Sequence, residues 1–161
     1  MSHTPKTTEE LLRTHYADRV LVVAHQTATS TGLLEAVRTR AAHGEATFHL
    51  LVPQLPHDAQ KGVDAQEPGA DEAQQVLDDA LPKLSQAAGQ PVTGSVGDSE
   101  PVTAIQNAMH HGDYDEIIIS TLPLGASRWL KLDVVSKARR LGVPVTHVQA
   151  PSKAEAGVGA A

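Results

Sequence analysis

Two uninterrupted apolar runs constrain the fold of this chain more than any other feature. They are VLVVA at residues 20–24 and III at residues 117–119. A run without polar alternation is typical of a strand inside a parallel sheet, because helices cover both faces of such a strand. Segments with helical apolar spacing follow both runs, so the sequence predicts an α/β fold.

Strand and helix patterns alternate along the rest of the chain. Strands are predicted at residues 20–24, 47–52, 91–96, 116–120 and 144–148. Helices are predicted at residues 29–43, 71–88 and 128–141, with another that ends at residue 111 and is capped by Asp98 or Ser99. Pro82 should kink or divide the second of these helices. Because helices join the strands, we expect an open, mostly parallel five-stranded sheet with helices on both faces, a Rossmann-like fold.

The chain is expected to form a single globular domain with two flanking extensions. Its 161 residues, 40% of them hydrophobic, are enough for a proper core. Residues 1–18 form an N-terminal extension in which Thr7 and Glu10 make a capping box, which predicts a short helix. Residues 19–149 form the α/β domain, and residues 150–161 are predicted to be a disordered tail. The polar segment 53–69, which has three prolines, is predicted to be a surface loop or a lid.

Charge and cysteine content exclude several classes of partner. Acidic residues outnumber basic ones by 19 to 13, which gives a net charge of −6 and argues against nucleic acid or an anionic membrane as partner. The chain has no cysteine, so it has no disulfide and no thiolate chemistry. It shows neither a signal-peptide pattern nor a segment long enough to span a bilayer. We therefore expect a cytoplasmic protein.

Ligands of open α/β sheets bind beyond the carboxyl ends of the strands. Applied to the predicted strands, this places residues 25–30, the turn at residues 97–98 and residues 121–128 around one crevice. The candidate ligand-binding residues are His25, Thr27, Gly97, Asp98, Thr121, Ser127 and Arg128.

Most of these residues also have a structural interpretation. His25 could serve as a hydrogen-bonded structural histidine, and the hydroxyls of Thr27 and Thr121 could satisfy nearby backbone groups. Arg128 could clamp a small anion or form an internal salt bridge. Trp129 is interpreted as a packing residue rather than a stacking platform.

The sequence gives no positive support for catalysis or for a metal site. It contains no Gly-x-Ser-x-Gly elbow, no Gly-x-Gly-x-x-Gly after the first strand and no Cys/His nucleophile pair. His110 and His111 are adjacent on a helix and point in different directions, which is poor ligand geometry. We therefore predict no catalytic residue and no metal ligand.

Five segments of the chain resemble, in order and spacing, those of the universal stress proteins. They are VLVVAHQT, ATFHLLVP, GDSEPVTAI, DEIIISTLPLGASRWLKLDVVSKA and VPVTHV, and together they span residues 19–149. The resemblance implies the fold of that family and a role in the stress response. It also shows that the phosphate-binding glycines of ATP-binding members are replaced here, by Ser120, by Pro123 and by Asp133 with Val134 in place of the final Gly-Ser. His25 stands where those members have an acidic residue.

These replacements predict that ATP is not bound in the usual mode of the family. Pro123 has no N–H and fixes φ, so it cannot approach a phosphate as glycine does. Asp133 is interpreted as the cap of the last helix, or as a partner of Lys137. A capping carboxylate about 4 Å from a phosphate charge would repel it by roughly 4 kcal/mol. We expect no cofactor, with ATP and AMP disfavoured.

The resemblance also implies a homodimer, since universal stress proteins commonly pair their last strands antiparallel. Val143, Val145 and His147 are the predicted interface residues. The sequence thus favours a homodimeric binding or regulatory protein that acts through protein contacts or a small-molecule ligand. One alternative is a divergent binder of a nucleotide or small anion at the crevice beside strands 1 and 4. An enzyme on the same fold is the third hypothesis.

Overall fold

The computed structural model describes residues 18–54, 68–123 and 127–150, with backbone alone for residues 68–70. The predicted N-terminal helix, nearly all of the predicted loop or lid and the C-terminal tail therefore lie outside the described residues. None of the described helices combines the length and apolarity that crossing a bilayer requires.

Strands and helices alternate in the described part of the chain. The strands are β1 (Asp18–Val23), β2 (Ala46–Pro53), β3 (Thr93–Gly97), β4 (Glu116–Thr121) and β5 (Val145–Gln149). The helices are α1 (Thr31–His43), α2 (Pro68–Ala88), α3 (Pro101–His111), α4 (Arg128–Lys131) and α5 (Val134–Arg139).

The five strands form one sheet in the order β3-β2-β1-β4-β5, and every pair in it is parallel. The predicted α/β class and open five-stranded sheet are confirmed. The chain leaves β1 toward β2 and β3 on one side and later returns to β4 and β5 on the other. The strand order therefore reverses between β1 and β4, which is where open sheets of this kind bind ligands.

Alternate residues of the central strands face two separate cores. Val20 and Val22 point toward α1 and α2, whereas Leu21 and Val23 point toward α3 and α5. All four side chains are buried, which explains why the run in β1 shows no polar alternation.

The cap of α3 differs from both predicted residues. Asp98 Oδ1 accepts a hydrogen bond from the Glu100 N–H at 2.9 Å, so Asp98 closes the turn that precedes the helix. Glu100 is the cap, and its Oε1 accepts from the Val102 N–H at 2.9 Å. Pro101 follows as the first helical residue, where a missing N–H costs no hydrogen bond.

One helix prediction was wrong, and a second was wrong in one of its two alternatives. The helix expected over residues 128–141 is two short helices, because Asp133 between them has φ 59° and ψ 38°, a left-handed conformation that interrupts a right-handed helix. Conversely, α2 continues through Pro82 and is not divided there.

Candidate functional site

A cavity of about 240 Å³ lies beyond the carboxyl ends of β1 and β4. The turn after β1 forms one side of it, and the segment from the end of β4 to the start of α4 forms the other. The turn is closed by backbone hydrogen bonds, from the Ala28 N–H to the His25 carbonyl and from the Ser30 N–H to the Thr27 carbonyl, both at 3.0 Å. Ser30 then caps α1 through its side chain, which accepts from the Leu33 N–H. The cavity thus lies at the reversal of strand order.

Buried polar side chains are concentrated at this cavity. Among the described residues five polar side chains are buried, and all five line its wall: His25, Thr27, Ser120, Thr121 and Ser127. Burying a polar group costs free energy unless a partner compensates for it, so such groups usually mark a binding site or a polar network.

The hydroxyl groups of the wall are already hydrogen-bonded within the protein. Thr27 Oγ1 and Ser120 Oγ lie 2.6 Å apart, and Thr121 Oγ1 lies 2.8 Å from His147 Nε2. Ser127 Oγ accepts from the Leu130 N–H at 3.1 Å and so caps α4. The two threonines therefore bond side chains of other elements and not the nearby backbone groups expected from the sequence.

His25 is the exception in this network. It is 5% exposed, and neither of its shielded ring nitrogens has a hydrogen-bond partner among the described residues. Burial lowers the pKa of His25 below its usual value, and the negative charge of Glu72 opposes this only in part. The imidazole is therefore neutral at pH 7, with one donor and one acceptor that lack a partner. The alternative of a hydrogen-bonded structural histidine is not supported.

Arg128 and Trp129 complete the cavity on the side of α4. Arg128 is exposed, and its guanidinium makes no salt bridge with any residue in the described ranges. Trp129 is half-buried and also packs against the core formed with α3 and α5. The tryptophan is thus a packing residue, as predicted, and part of the cavity wall as well.

Gly97 and Asp98 do not line this cavity, contrary to the single crevice predicted from the sequence. They line a second cavity of about 610 Å³, together with Arg19, His49 and Tyr114. The reason is topological, because β3 is the edge strand and β2 separates it from β1. Gly97 has a packing role, since a Cβ there would lie 2.8 Å from Leu51 Cδ1 and 3.0 Å from Ala104 Cβ.

Asp133 also differs from its prediction. It precedes α5, but its side chain makes no capping hydrogen bond. It forms no salt bridge with Lys137, both side chains are exposed, and Asp133 is not part of the cavity wall. The repulsion expected from a capping carboxylate therefore has no basis in the structure.

The predicted ligand-binding residues leave out four residues of the wall. They are Gln26, Ser120, Leu122 and Trp129. Ser120 ends a strand of isoleucines and so carries the signal of a polar residue at a strand's carboxyl end. Gln26 and Leu122 carry no such signal of their own. Both lie in the segments 25–30 and 121–128 that were predicted to surround the crevice.

The fold has close counterparts among solved structures. Universal stress protein UspA from Lactobacillus plantarum matches with a TM-score of 0.59 and 15% identity, over 82% of this chain and 97% of that one. The universal stress protein from Archaeoglobus fulgidus in complex with dAMP matches with a TM-score of 0.56 and 16% identity, over 83% and 98%. A universal stress protein family protein from Arabidopsis thaliana with AMP bound has a TM-score of 0.55 and 14% identity, over 85% and 94%.

Similarity at the level of sequence is much weaker than similarity of structure. No protein-family model matches the chain, and no curated protein matches it. This chain nevertheless matches the solved structures over nearly the whole length of those structures. The match confirms the fold that the five sequence segments predicted. This chain therefore has the universal stress protein fold.

Proposed function

We propose that this chain is a divergent universal stress protein that acts as a homodimeric binding protein and does not bind ATP in the family's usual mode. The observation that carries the proposal is the position of all five described buried polar side chains around one cavity at the switch point of the sheet. A general packing role for these residues would not gather them at one site.

Three features at the end of β4 and in the loop after it oppose the usual ATP mode. Pro123 offers no N–H to a phosphate. The Ser127 N–H donates to the Pro123 carbonyl at 3.1 Å, and Ser127 Oγ is occupied by the Leu130 N–H. Ser120 Oγ is bonded to Thr27. These donors and acceptors are used internally, so a triphosphate would have to break existing hydrogen bonds.

A divergent nucleotide or small-anion site is the second candidate. It is favoured by two of the structural neighbours, which hold dAMP and AMP. The exposed Arg128 at the cavity could receive an anionic group. In that case the rest of the ligand would contact the wall residues His25, Thr27, Thr121 and Ser127.

A thermal-shift titration separates the two candidates. With ATP, AMP, cyclic AMP and inorganic phosphate as ligands, we expect no rise in Tm with ATP. A large ATP-dependent rise that is lost in Arg128→Gln but kept in Arg140→Gln would contradict the proposal. Arg140 is a matched control because it is exposed and lies outside the cavity wall.

The homodimer is proposed from the free edge of β5. Within the described residues β5 pairs only with β4. The Ile117 N–H donates to the Pro144 carbonyl, and the Ala150 N–H donates to the Thr121 carbonyl. The backbone N–H and C=O groups of the even-numbered residues 144–150 therefore point toward β4. The backbone groups of Val145, His147 and Gln149 then point away from the sheet, where a second copy could pair with them.

The side chains of the predicted interface have other contacts as well. Val143 and Val145 pack partly against the core formed with α3 and α5, and His147 bonds Thr121. The proposed dimer therefore depends on the backbone of β5 more than on these side chains.

A further inference from the structure

The size of the cavity limits what it can hold. An apolar cavity of about 150 Å³ accommodates benzene, whereas sites for drug-sized ligands occupy about 300–1,000 Å³. The present cavity, at about 240 Å³, lies between these values and has a mainly apolar wall that includes Leu122 and Trp129. It suits a body the size of one ring that carries one or two small polar groups.

Few polar groups of the wall are free to bind such a ligand. The hydroxyls of Thr27, Ser120, Thr121 and Ser127 are all hydrogen-bonded within the protein. His25 retains one donor and one acceptor without a partner among the described residues, and both are buried. A buried polar group without a partner costs free energy, so a ligand that supplies the partner recovers that free energy.

Among the described residues of the cavity wall, Arg128 carries the only charge. Arg128 lines the cavity and makes no salt bridge with the described residues, and the described wall contains no carboxylate. A guanidinium binds a carboxylate through two parallel hydrogen bonds. A phosphate ester with two charges would need further donors, and an apolar wall supplies few.

We propose that the cavity binds a small monocarboxylate with a ring-sized apolar body, whose carboxylate pairs with Arg128 and whose second polar group hydrogen-bonds His25. This inference rests on the proposed function, in which the cavity is the ligand site. It adds the chemical class of the ligand, a class distinct from the nucleotides held by the neighbouring structures.

Trp129 provides a direct readout, since it is the only tryptophan of the chain and lies in the wall. Its fluorescence, together with calorimetry, can follow titrations of the full chain with benzoate, benzamide, 3- and 4-hydroxybenzoate, AMP and ATP. We expect benzoate to bind about tenfold or more tightly than benzamide, which has the same shape but no charge, because hydrogen bonds to charged groups contribute about 1.5–3 kcal/mol. We expect one of the hydroxybenzoates to bind about threefold or more tightly than benzoate, because it supplies a partner to His25.

Two variants assign these effects to their residues. Arg128→Gln should remove the preference for benzoate over benzamide, and the control Arg140→Gln should keep it. His25→Leu should remove the advantage of the hydroxybenzoate but leave benzoate binding in place. The leucine variant should remain folded because it replaces an unpartnered polar side chain with an apolar one of similar size. His25→Asn, which keeps a donor and an acceptor, is the second test of the same contact.

The inference is overturned if no carboxylate binds at millimolar concentration, if benzamide binds as tightly as benzoate, or if Arg128→Gln leaves the preference unchanged. Binding of AMP without carboxylate binding overturns the ligand class and leaves the cavity as the ligand site. Binding of ATP through Arg128 contradicts the proposed function itself. The two failures are therefore distinguishable.

Discussion

At the scale of single residues, Asp133 shows that a residue other than glycine can occupy a left-handed backbone position. The resemblance to universal stress proteins places a motif glycine at this position, and the φ of 59° is one that favours glycine. Asp is among the residues that tolerate this conformation. The left-handed backbone at this position is therefore compatible with the aspartate found here.

Substitutions at Asp133 should follow this backbone requirement. Asp133→Val should lower the free energy of unfolding by about 1–2 kcal/mol, because a β-branched residue is strained at positive φ. Asp133→Gly should leave stability unchanged or raise it slightly. Urea denaturation of the two variants measures the difference. Equal free energies of unfolding for the two variants would contradict a left-handed backbone at residue 133.

At the scale of elements, Arg40 connects one helix to two strands. It lies in α1, its Nε donates to Glu116 Oε2 at 2.9 Å, and its guanidinium also pairs with Asp18. Asp18 begins β1 and Glu116 begins β4. This network therefore fixes the C-terminal end of α1 at the end of the sheet opposite the cavity. The side chains of Arg40 and Glu116 are 17% and 20% exposed, so the pair is screened less than a surface pair.

Removal of Arg40 should therefore cost more than removal of a surface arginine. Arg40→Gln should lower the free energy of unfolding by about 1–3 kcal/mol, since it leaves Glu116 partly buried without its partner. Arg38→Gln is the matched control in the same helix, and we expect about 0.5 kcal/mol or less, because the Arg38–Glu35 pair is exposed. Chemical denaturation of both variants tests this, and equal losses would refute the bridging role.

The free edge of β5 gives a second prediction at this scale. Gln149 is exposed, and its N–H points away from β4. Gln149→Pro removes this donor from both copies of a symmetric dimer and should weaken dimerisation about tenfold, whereas Gln149→Ala should not. Light scattering across a dilution series measures the dissociation constant. A wild-type chain that is monomeric at micromolar concentration would exclude the dimer.

The elements could be predicted from the sequence to different degrees. The central strands β1 and β4 followed from their apolar runs, because burial on both faces dictates composition directly. The break between α4 and α5 could not be predicted, because an aspartate in the left-handed conformation looks the same in sequence as an aspartate inside a helix. The same holds for the site. His25 could be placed at the end of the first strand and Arg128 beside the predicted crevice, but whether their side chains have partners depends on contacts between elements.

At the scale of the whole molecule, three histidines couple stability to pH. Burial is the main cause that lowers the pKa of His25, His49 and His147, with Arg19 adding to the effect at His49 and Arg139 at His147. The folded chain therefore binds fewer protons than the unfolded chain, whose histidines titrate near about 6.5. Stability contributed by the neutral histidines is present above this pH and is lost as the pH falls below it.

We accordingly expect Tm to decrease when the pH is lowered from about 7.5 to about 5.5, a range in which model carboxylates remain ionised. His25→Leu should show a smaller decrease than the wild type, because it removes one of the three histidines whose pKa is lowered. Differential scanning calorimetry at the two pH values measures both. A Tm that rises as the pH falls would mean that these histidines are stabilised in their charged form.

The most direct test of the account is a crystal structure of the chain grown with millimolar Mg·ATP. The account predicts that no triphosphate lies against the loop after β4 and that the Thr27–Ser120 and Ser127–Leu130 hydrogen bonds persist. Density for a triphosphate bound to the backbone of that loop, with these bonds broken, would contradict it.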